Sequence, residues 1–213
     1  VAVLDSHIQT HLNPEKLRIT HLGGGACSLA RYCADVYPNS RNTVVELDAK
    51  LAEYVRDWFN IPKSPRVKIR VGDAGTVTRS FAPASRDVVI RDVFAVDKTP
   101  VELTSVDFVR TVDHSLVPGG LYILNCGDDR ALNSALAEAA ALLEVFEYVS
   151  IVADSAMLKG RRRGNIILAG SHVPLPQLGS AEAASISRVL MGGGVPAQYW
   201  DTEKVRAFSR KGA

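Results

Sequence analysis

The stretch Leu17-Arg18-Ile19-Thr20-His21-Leu22-Gly23-Gly24-Gly25-Ala26-Cys27, read together with Val44-Val45-Glu46-Leu47-Asp48 downstream, decides the fold. Residues 17 to 22 have strand character, and the glycines fall where that run ends and a helical pattern begins. A parallel sheet presents backbone N–H groups and a helix N-terminus to a ligand at such a place, and glycines let the ligand approach the backbone. Glu46 follows Gly25 by 21 residues. At that spacing, at the end of the second strand, an acidic side chain accepts hydrogen bonds from ribose hydroxyls. Adenosine is therefore the expected ligand fragment. The bland alternative for the glycines is a tight strand-to-helix corner, and Asp48 reads as the N-cap of the next helix.

Outward from this corner, strand-like runs at 43 to 47, 67 to 71, 87 to 91 and 121 to 125 alternate with helical stripes. One stripe is Leu29, Ala30, Cys33 and Val36; another is Leu51, Val55, Trp58 and Phe59. Such alternation predicts a doubly wound α/β fold, a Rossmann-like parallel sheet covered on both faces. Thr104 and Asp107 read as a capping box for a helix stopped by Pro118-Gly119-Gly120, and Asp128 or Asp129 as the N-cap of the next helix. The runs 145 to 153 and 164 to 170 have only residues 158 to 163 between them, so they are expected to pair as an antiparallel hairpin. The total is a seven-stranded mixed sheet with a C-terminal antiparallel hairpin. Short helices are expected near 180 to 190 and 201 to 209. Alternating apolar positions suggest that residues 1 to 16 are a remnant of an N-terminal β-hairpin segment, leaving 17 to 213 as the cofactor-binding catalytic domain.

The 213 residues carry 25 Lys and Arg against 23 Asp and Glu, with 46% hydrophobic residues. A chain of this size removes roughly 70% of its unfolded surface from water, so one hydrophobic core suffices without disulfides or a structural metal. A net charge of +2 gives no bulk electrostatic reason to expect nucleic acid or an anionic membrane, which leaves a small-molecule partner. No apolar run approaches the roughly 18 residues of a membrane span. Cys27, Cys33 and Cys126 have no metal-ligand spacing with His, which argues for reduced thiols, a cytoplasmic location and no metal. The chain starts at Val1 without Met, as a fragment or processed chain would.

Two further carboxylates end strands on the same edge. Asp73, in Val71-Gly72-Asp73-Ala74, is placed either to accept a hydrogen bond from the exocyclic amine of a base or to cap a helix. Asp92, in Arg91-Asp92-Val93-Phe94, falls beside the first strand if the strand order reverses there, which makes it the best candidate for direct chemistry. Its bland reading is a loop cap. Lys159, Arg161, Arg162 and Arg163 could hold phosphate or RNA but read better as a solvated loop, and Cys27 reads as a packing residue.

Together, Gly23-Gly24-Gly25, Val45-Glu46-Leu47-Asp48, Gly72-Asp73-Ala74, Asp87-Val88-Val89-Ile90-Arg91-Asp92 and Leu116-Val117-Pro118-Gly119-Gly120 resemble the S-adenosylmethionine-dependent methyltransferase fold. More narrowly, they resemble the spermidine synthase family of aminopropyltransferases. Leu4-Asp5-Ser6-His7-Ile8-Gln9 is similar to that family's L-D-G-x-x-Q segment. The resemblance implies a cytoplasmic enzyme that transfers an aminopropyl group from decarboxylated S-adenosylmethionine to an amine such as putrescine. It implies that Gln9 touches the aminopropyl end, Gly23, Gly24 and Gly25 form the cofactor corner, Glu46 holds the ribose, Asp73 with Ala74 the adenine, and Asp92 the amine. In the family the N-terminal hairpin domain also helps form dimers, so a homodimer is compatible with the resemblance. The competing readings are a methyltransferase using intact S-adenosylmethionine and a non-catalytic nucleoside-binding module. Three features depart from the family pattern. Its D-x-x-D-P continues here with Ala95 in the fourth position and the next acid at Asp97, its D-E-x-x-Y-H-E segment is absent between Gln9 and Leu17, and most of its hairpin domain is not in this sequence.

Overall fold

The structure, a computed structural model, describes residues 1 to 96 and 98 to 210. In chain order the helices and strands are α1 (Ala2–His11), β1 (Arg18–Leu22), α2 (Ser28–Val36), β2 (Arg41–Glu46), α3 (Ala49–Trp58), β3 (Val67–Val71), α4 (Ala74–Arg79) and β4 (Arg86–Arg91). They continue as α5 (Val106–Ser115), β5 (Leu116–Asp128), α6 (Asn133–Val145), β6 (Tyr148–Asp154), α7 (Ser155–Leu158), β7 (Gly164–Ser171), α8 (Ala181–Met191), β8 (Ala197–Trp200) and α9 (Thr202–Ser209).

The strands form one mixed sheet in the order β3-β2-β1-β4-β5-β7-β6-β8. The strands β1 to β5 run parallel, and β7, β6 and β8 add antiparallel at one side. Sequence order reverses between β1 and β4, so a crevice opens outside their carboxyl ends. All but the first residue of β4 is buried, as befits a strand covered on both faces. Phe108, Val109, Val112, Leu142 and Val205 pack on one face; Leu4, Ile8, Cys33, Ala183 and Ile186 pack on the other.

The N-terminal segment corrects the hairpin expectation. Residues 2 to 11 are helical because Val3, Leu4, His7 and Ile8 share one helix face, which is buried against the sheet and α8. The Asp5 carboxylate fixes this helix by accepting hydrogen bonds from the Tyr32 and Tyr37 hydroxyls, both at 2.7 Å. Alternation of three residues was too short a pattern to outweigh that periodicity. The sheet also has an eighth strand, β8, whose four residues are too few to show a period in the sequence. A short helix, α7, stands between the hairpin strands, capped by Asp154 through the N–H groups of Ala156 and Met157. The N-cap of α5 is Ser105, not Thr104, and Pro118-Gly119-Gly120 lies within β5 at a register shift. The N-cap position of α6 falls to Leu132 at φ 60°, while Asp128 caps from a distance by accepting the Ala135 N–H at 2.7 Å. Trp58, assigned to an inward stripe, is 64% exposed and stacks on Tyr54.

Two buried histidines give the fold a pH dependence. Burial, the largest effect on each, lowers His7 and His21 to about 4, because the imidazolium is disfavoured away from water. Their neutral forms accept no proton until well below the pH at which the unfolded chain does. This part of the stability is present above pH 6.5 and is lost as pH falls from 6.5 towards 4. Melting temperatures measured over that window should fall, and the curve for His21→Gln should be shallower.

Candidate active site at the carboxyl rim

The glycine corner is dictated by contact with β4. Gly23 has φ +90°, and a Cβ there would lie 2.1 Å from the Asp92 carbonyl oxygen, so only glycine fits. Backbone bonds from Gly23 N–H to Val45 O at 2.9 Å and from Asp92 N–H to Leu22 O at 2.8 Å hold the ends of β1, β2 and β4 together. At Gly24 a Cβ would lie 3.0 Å from Glu46 Oε2, whereas at Gly25 it would meet open space.

Glu46 sits at the end of β2, directly under this corner. Its Oε2 accepts the Gly24 N–H at 2.9 Å and the Gly25 N–H at 3.2 Å, and its Oε1 accepts the Asp48 N–H at 2.9 Å. One carboxylate therefore shapes the turn and faces the crevice. Asp48 caps α3 through the Lys50 and Leu51 N–H groups, as its sequence context implies. Asp73 realises the capping half of its dual reading: it accepts the Thr76 N–H at 2.7 Å, a bond that holds its carboxyl below the ordinary aspartate range. It still lines the crevice, with Ala74 beside it.

Two cavities meet at the glycine corner, sharing Gly23, Gly24, Gly25, Asp92 and Phe94 as walls. The larger, about 520 Å³, runs over β2 and β3 and adds Leu47, Leu51, Pro100 and Leu103. Among the described residues that line it are the carboxylates Glu46, Asp48, Asp73, Asp92 and Glu102, and no Lys or Arg. The smaller, about 350 Å³, extends over the start of α2. Such a rim attracts cations.

Asp92 is exposed, and its Oδ1 accepts a hydrogen bond from Asn125 Nδ2 at 2.9 Å. Asn125 escaped the sequence reading because an asparagine inside a run such as Tyr122-Ile123-Leu124-Asn125 has no motif; its place at the carboxyl end of β5 was the only available signal. Its own Oδ1 is buried without a partner. Behind Asp92, the Arg91 guanidinium is fully buried. It donates to Glu138 on α6 at 2.7 Å, to Leu103 O at 2.8 Å and to Asn125 O at 3.4 Å. One side chain thus ties β4, β5, α6 and the loop before α5 together just beneath the rim. Burial pushes the Glu138 carboxyl up, opposed by the Arg91 charge.

Gln9 is not brought to this cluster. It is exposed on α1 between His7 and His11, which reach Gly119 O and Pro174 O. Gly119 lies among the first residues of β5 and Pro174 follows β7, so this part of α1 lies at the amino edge, opposite the crevice. The likeness of residues 4 to 9 to a cofactor segment is therefore not matched by their position: helix periodicity, not ligand contact, accounts for them. Ala95 is exposed beyond Phe94, and Asp97 lies outside the described residues. Cys27, Cys33 and Cys126 are buried, and burial raises all three thiols, Cys33 to about 12, which disfavours a thiolate nucleophile. Among the described residues no group of three or more His, Cys, Asp or Glu is arranged to hold a metal, and no helix is long and apolar enough to cross a membrane.

If Glu46 receives a ribose, Glu46→Gln should weaken adenosyl-ligand binding about tenfold to a hundredfold, because hydrogen bonds to an ionised acceptor are the stronger kind. Titration calorimetry with 5′-methylthioadenosine would read this, and unchanged affinity would remove Glu46 from the site.

No protein-family model matches the chain. Among solved structures, a probable spermidine synthase from Corynebacterium glutamicum superposes with a TM-score of 0.95 at 58% identity, covering 98% of this chain and 75% of that one. Human methyltransferase-like protein 13, solved in complex with SAH, superposes with a TM-score of 0.68 at 26% identity, covering 87% of each chain. Among curated proteins, the mouse (Mus musculus) eEF1A lysine and N-terminal methyltransferase is 33% identical over 135 residues, 58% of this chain. The chain spans only 19% of that relative's length. Identity of 58% sustained over nearly the whole sheet and its glycine corner settles the kinship: this chain belongs to the spermidine synthase family.

Proposed function

We propose that the chain is an aminopropyltransferase that moves the aminopropyl group of decarboxylated S-adenosylmethionine to an amine, of which putrescine is the reference case. The observation that carries this reading is the charge of the crevice: five carboxylates and no Lys or Arg among its described lining residues. Decarboxylated S-adenosylmethionine carries a sulfonium and an ammonium and suits that wall. The intact molecule adds a carboxylate that the wall would repel.

In the reaction the amine nitrogen forms a bond to the propyl carbon attached to sulfur while the C–S bond breaks. The electron pair returns to sulfur, leaving 5′-methylthioadenosine, and one proton leaves the nitrogen. Three tasks fall to this chain. Glu46 and the glycine corner hold the adenosyl part, Asp92 holds the amine and takes its proton, and Asn125 fixes the Asp92 carboxylate on the crevice wall by its bond to Oδ1. We place the protein in the cytoplasm, consistent with its unpaired thiols, with a small-molecule amine as partner and no role for nucleic acid or membrane; a homodimer belongs to the same reading.

A methyltransferase reading is favoured by one finding, the similarity to methyltransferases noted above. Incubation with an amine and either form of the cofactor, followed by mass spectrometry, separates the two. Formation of 5′-methylthioadenosine from the decarboxylated form is expected. S-adenosylhomocysteine from the intact form, with no product from the decarboxylated one, would favour methyl transfer, and no product from either would leave a nucleoside-binding module.

A further inference from the structure

Resting on the aminopropyltransferase reading, we propose that His21 recognises the cofactor's tail: its Nδ1 accepts a hydrogen bond from the terminal ammonium of the aminopropyl chain. The tail needs a holder, because Gln9, the residue that the family resemblance puts there, stands at the opposite edge of the sheet. The smaller cavity, about 350 Å³, shares the glycine corner and Asp92 with the adenosyl crevice, so a chain leaving a sulfur at that corner has this space to enter.

His21 forms part of the floor of that cavity. On β1 it pairs with Val44 of β2 on one side and Ile90 of β4 on the other, and all three line the space. An imidazole thus stands between two aliphatic neighbours, where a third aliphatic side chain would pack without leaving a polar atom to satisfy. Its tautomer is fixed from behind. Asn42 Nδ2 donates to Ser40 Oγ at 2.9 Å and to Arg66 O at 3.0 Å, while Ser40 Oγ donates onward to Cys33 O at 3.3 Å. Both protons of the Asn42 amide are therefore engaged, and its Oδ1 is an acceptor. His21 Nε2, 3.0 Å from that oxygen, is then the protonated nitrogen, and Nδ1 carries the lone pair. Nδ1 has no partner among the described residues and is not sealed from solvent; the 5% of His21 that is accessible opens into the cavity. Burial, which lowers the ring to about 4, keeps that lone pair available at neutral pH.

The rest of the wall directs a cation to this nitrogen. Among the described residues lining the cavity, Asp92 supplies a negative charge and there is no Lys or Arg. The roof is the start of α2, which has no side-chain cap, so its free N–H groups donate and turn an ammonium towards the floor. Cys27, on the same wall, is kept protonated by burial and offers a weak acceptor. Anchoring the ammonium at the floor restricts the propyl chain, so its sulfur-bound carbon stays beside the amine held at Asp92.

The test is titration calorimetry on the full chain with two stable nucleosides, decarboxylated S-adenosylhomocysteine and 5′-methylthioadenosine, which differ in the aminopropyl tail. His21→Leu should weaken the first about tenfold to a hundredfold, the worth of a hydrogen bond to a charged group, and the second by less than about threefold. His21→Gln, whose amide nitrogen can still donate to Asn42 Oδ1 but which bears no acceptor on Cγ, is the second variant should the first fail to fold, and the same selective loss is expected. Equal losses for the two ligands, or no loss for either, overturns the proposal. Because the readout is binding, it stands apart from turnover: a tail-selective loss in a protein that transfers nothing would refute the catalytic reading alone, and turnover without that loss would refute the role of His21 alone.

Discussion

Asp92→Asn should lower aminopropyl transfer by about 10²- to 10⁴-fold, the range typical of losing a positioned proton acceptor, while leaving the affinity for 5′-methylthioadenosine within about twofold. The asparagine keeps the volume, and its oxygen can still accept the Asn125 Nδ2 bond that Asp92 Oδ1 now receives at 2.9 Å. What it loses is the negative charge that attracts an ammonium and the basicity that takes its proton. Rates would be followed by release of 5′-methylthioadenosine. A variant within tenfold of the parent would show that Asp92 only caps its loop, and the amine site would have to be sought elsewhere on the rim.

The second large effect lies behind the rim. Glu138→Ala should cost about 3–5 kcal/mol, because it leaves the Arg91 guanidinium buried with its charge uncompensated. For a chain of this length the cost corresponds to a fall in melting temperature of about 6–20 °C, readable by calorimetry. Since Arg91 also donates to Leu103 O and Asn125 O, cofactor and amine affinity should fall with it. Combining Arg91→Met with Glu138→Leu should recover most of the lost stability, because a packed apolar pair bears no desolvation penalty. If the double variant recovers stability but not activity, the ion pair serves to position the rim. If Glu138→Ala melts with the parent, water or another group must reach Arg91.

The sheet and its crevice were legible because each rests on a short-range signal. Five apolar runs separated by helical stripes imply parallel strands, and Gly23 shows why a glycine must follow β1: the Asp92 carbonyl occupies the space of its Cβ. Glu46 was legible from spacing alone, since one crossover separates neighbouring strand ends. Features that rest on long-range contacts were not. Asn125 meets Asp92 only because β5 lies beside β4, and Arg91 meets Glu138 only because α6 packs behind both strands. Gln9 shows the converse, a local likeness defeated by position: the same residues that match a cofactor segment form a helix whose buried face is Val3, Leu4, His7 and Ile8. The eighth strand, β8, needs β6 as a template and carries too few residues to announce itself.

The most direct measurement is a side-by-side titration of the wild-type chain with decarboxylated and intact S-adenosylmethionine. A wall of carboxylates with no described Lys or Arg should favour the decarboxylated form by tenfold or more, a preference that shrinks as salt is raised. Equal affinity, or a preference for the intact form, would contradict it.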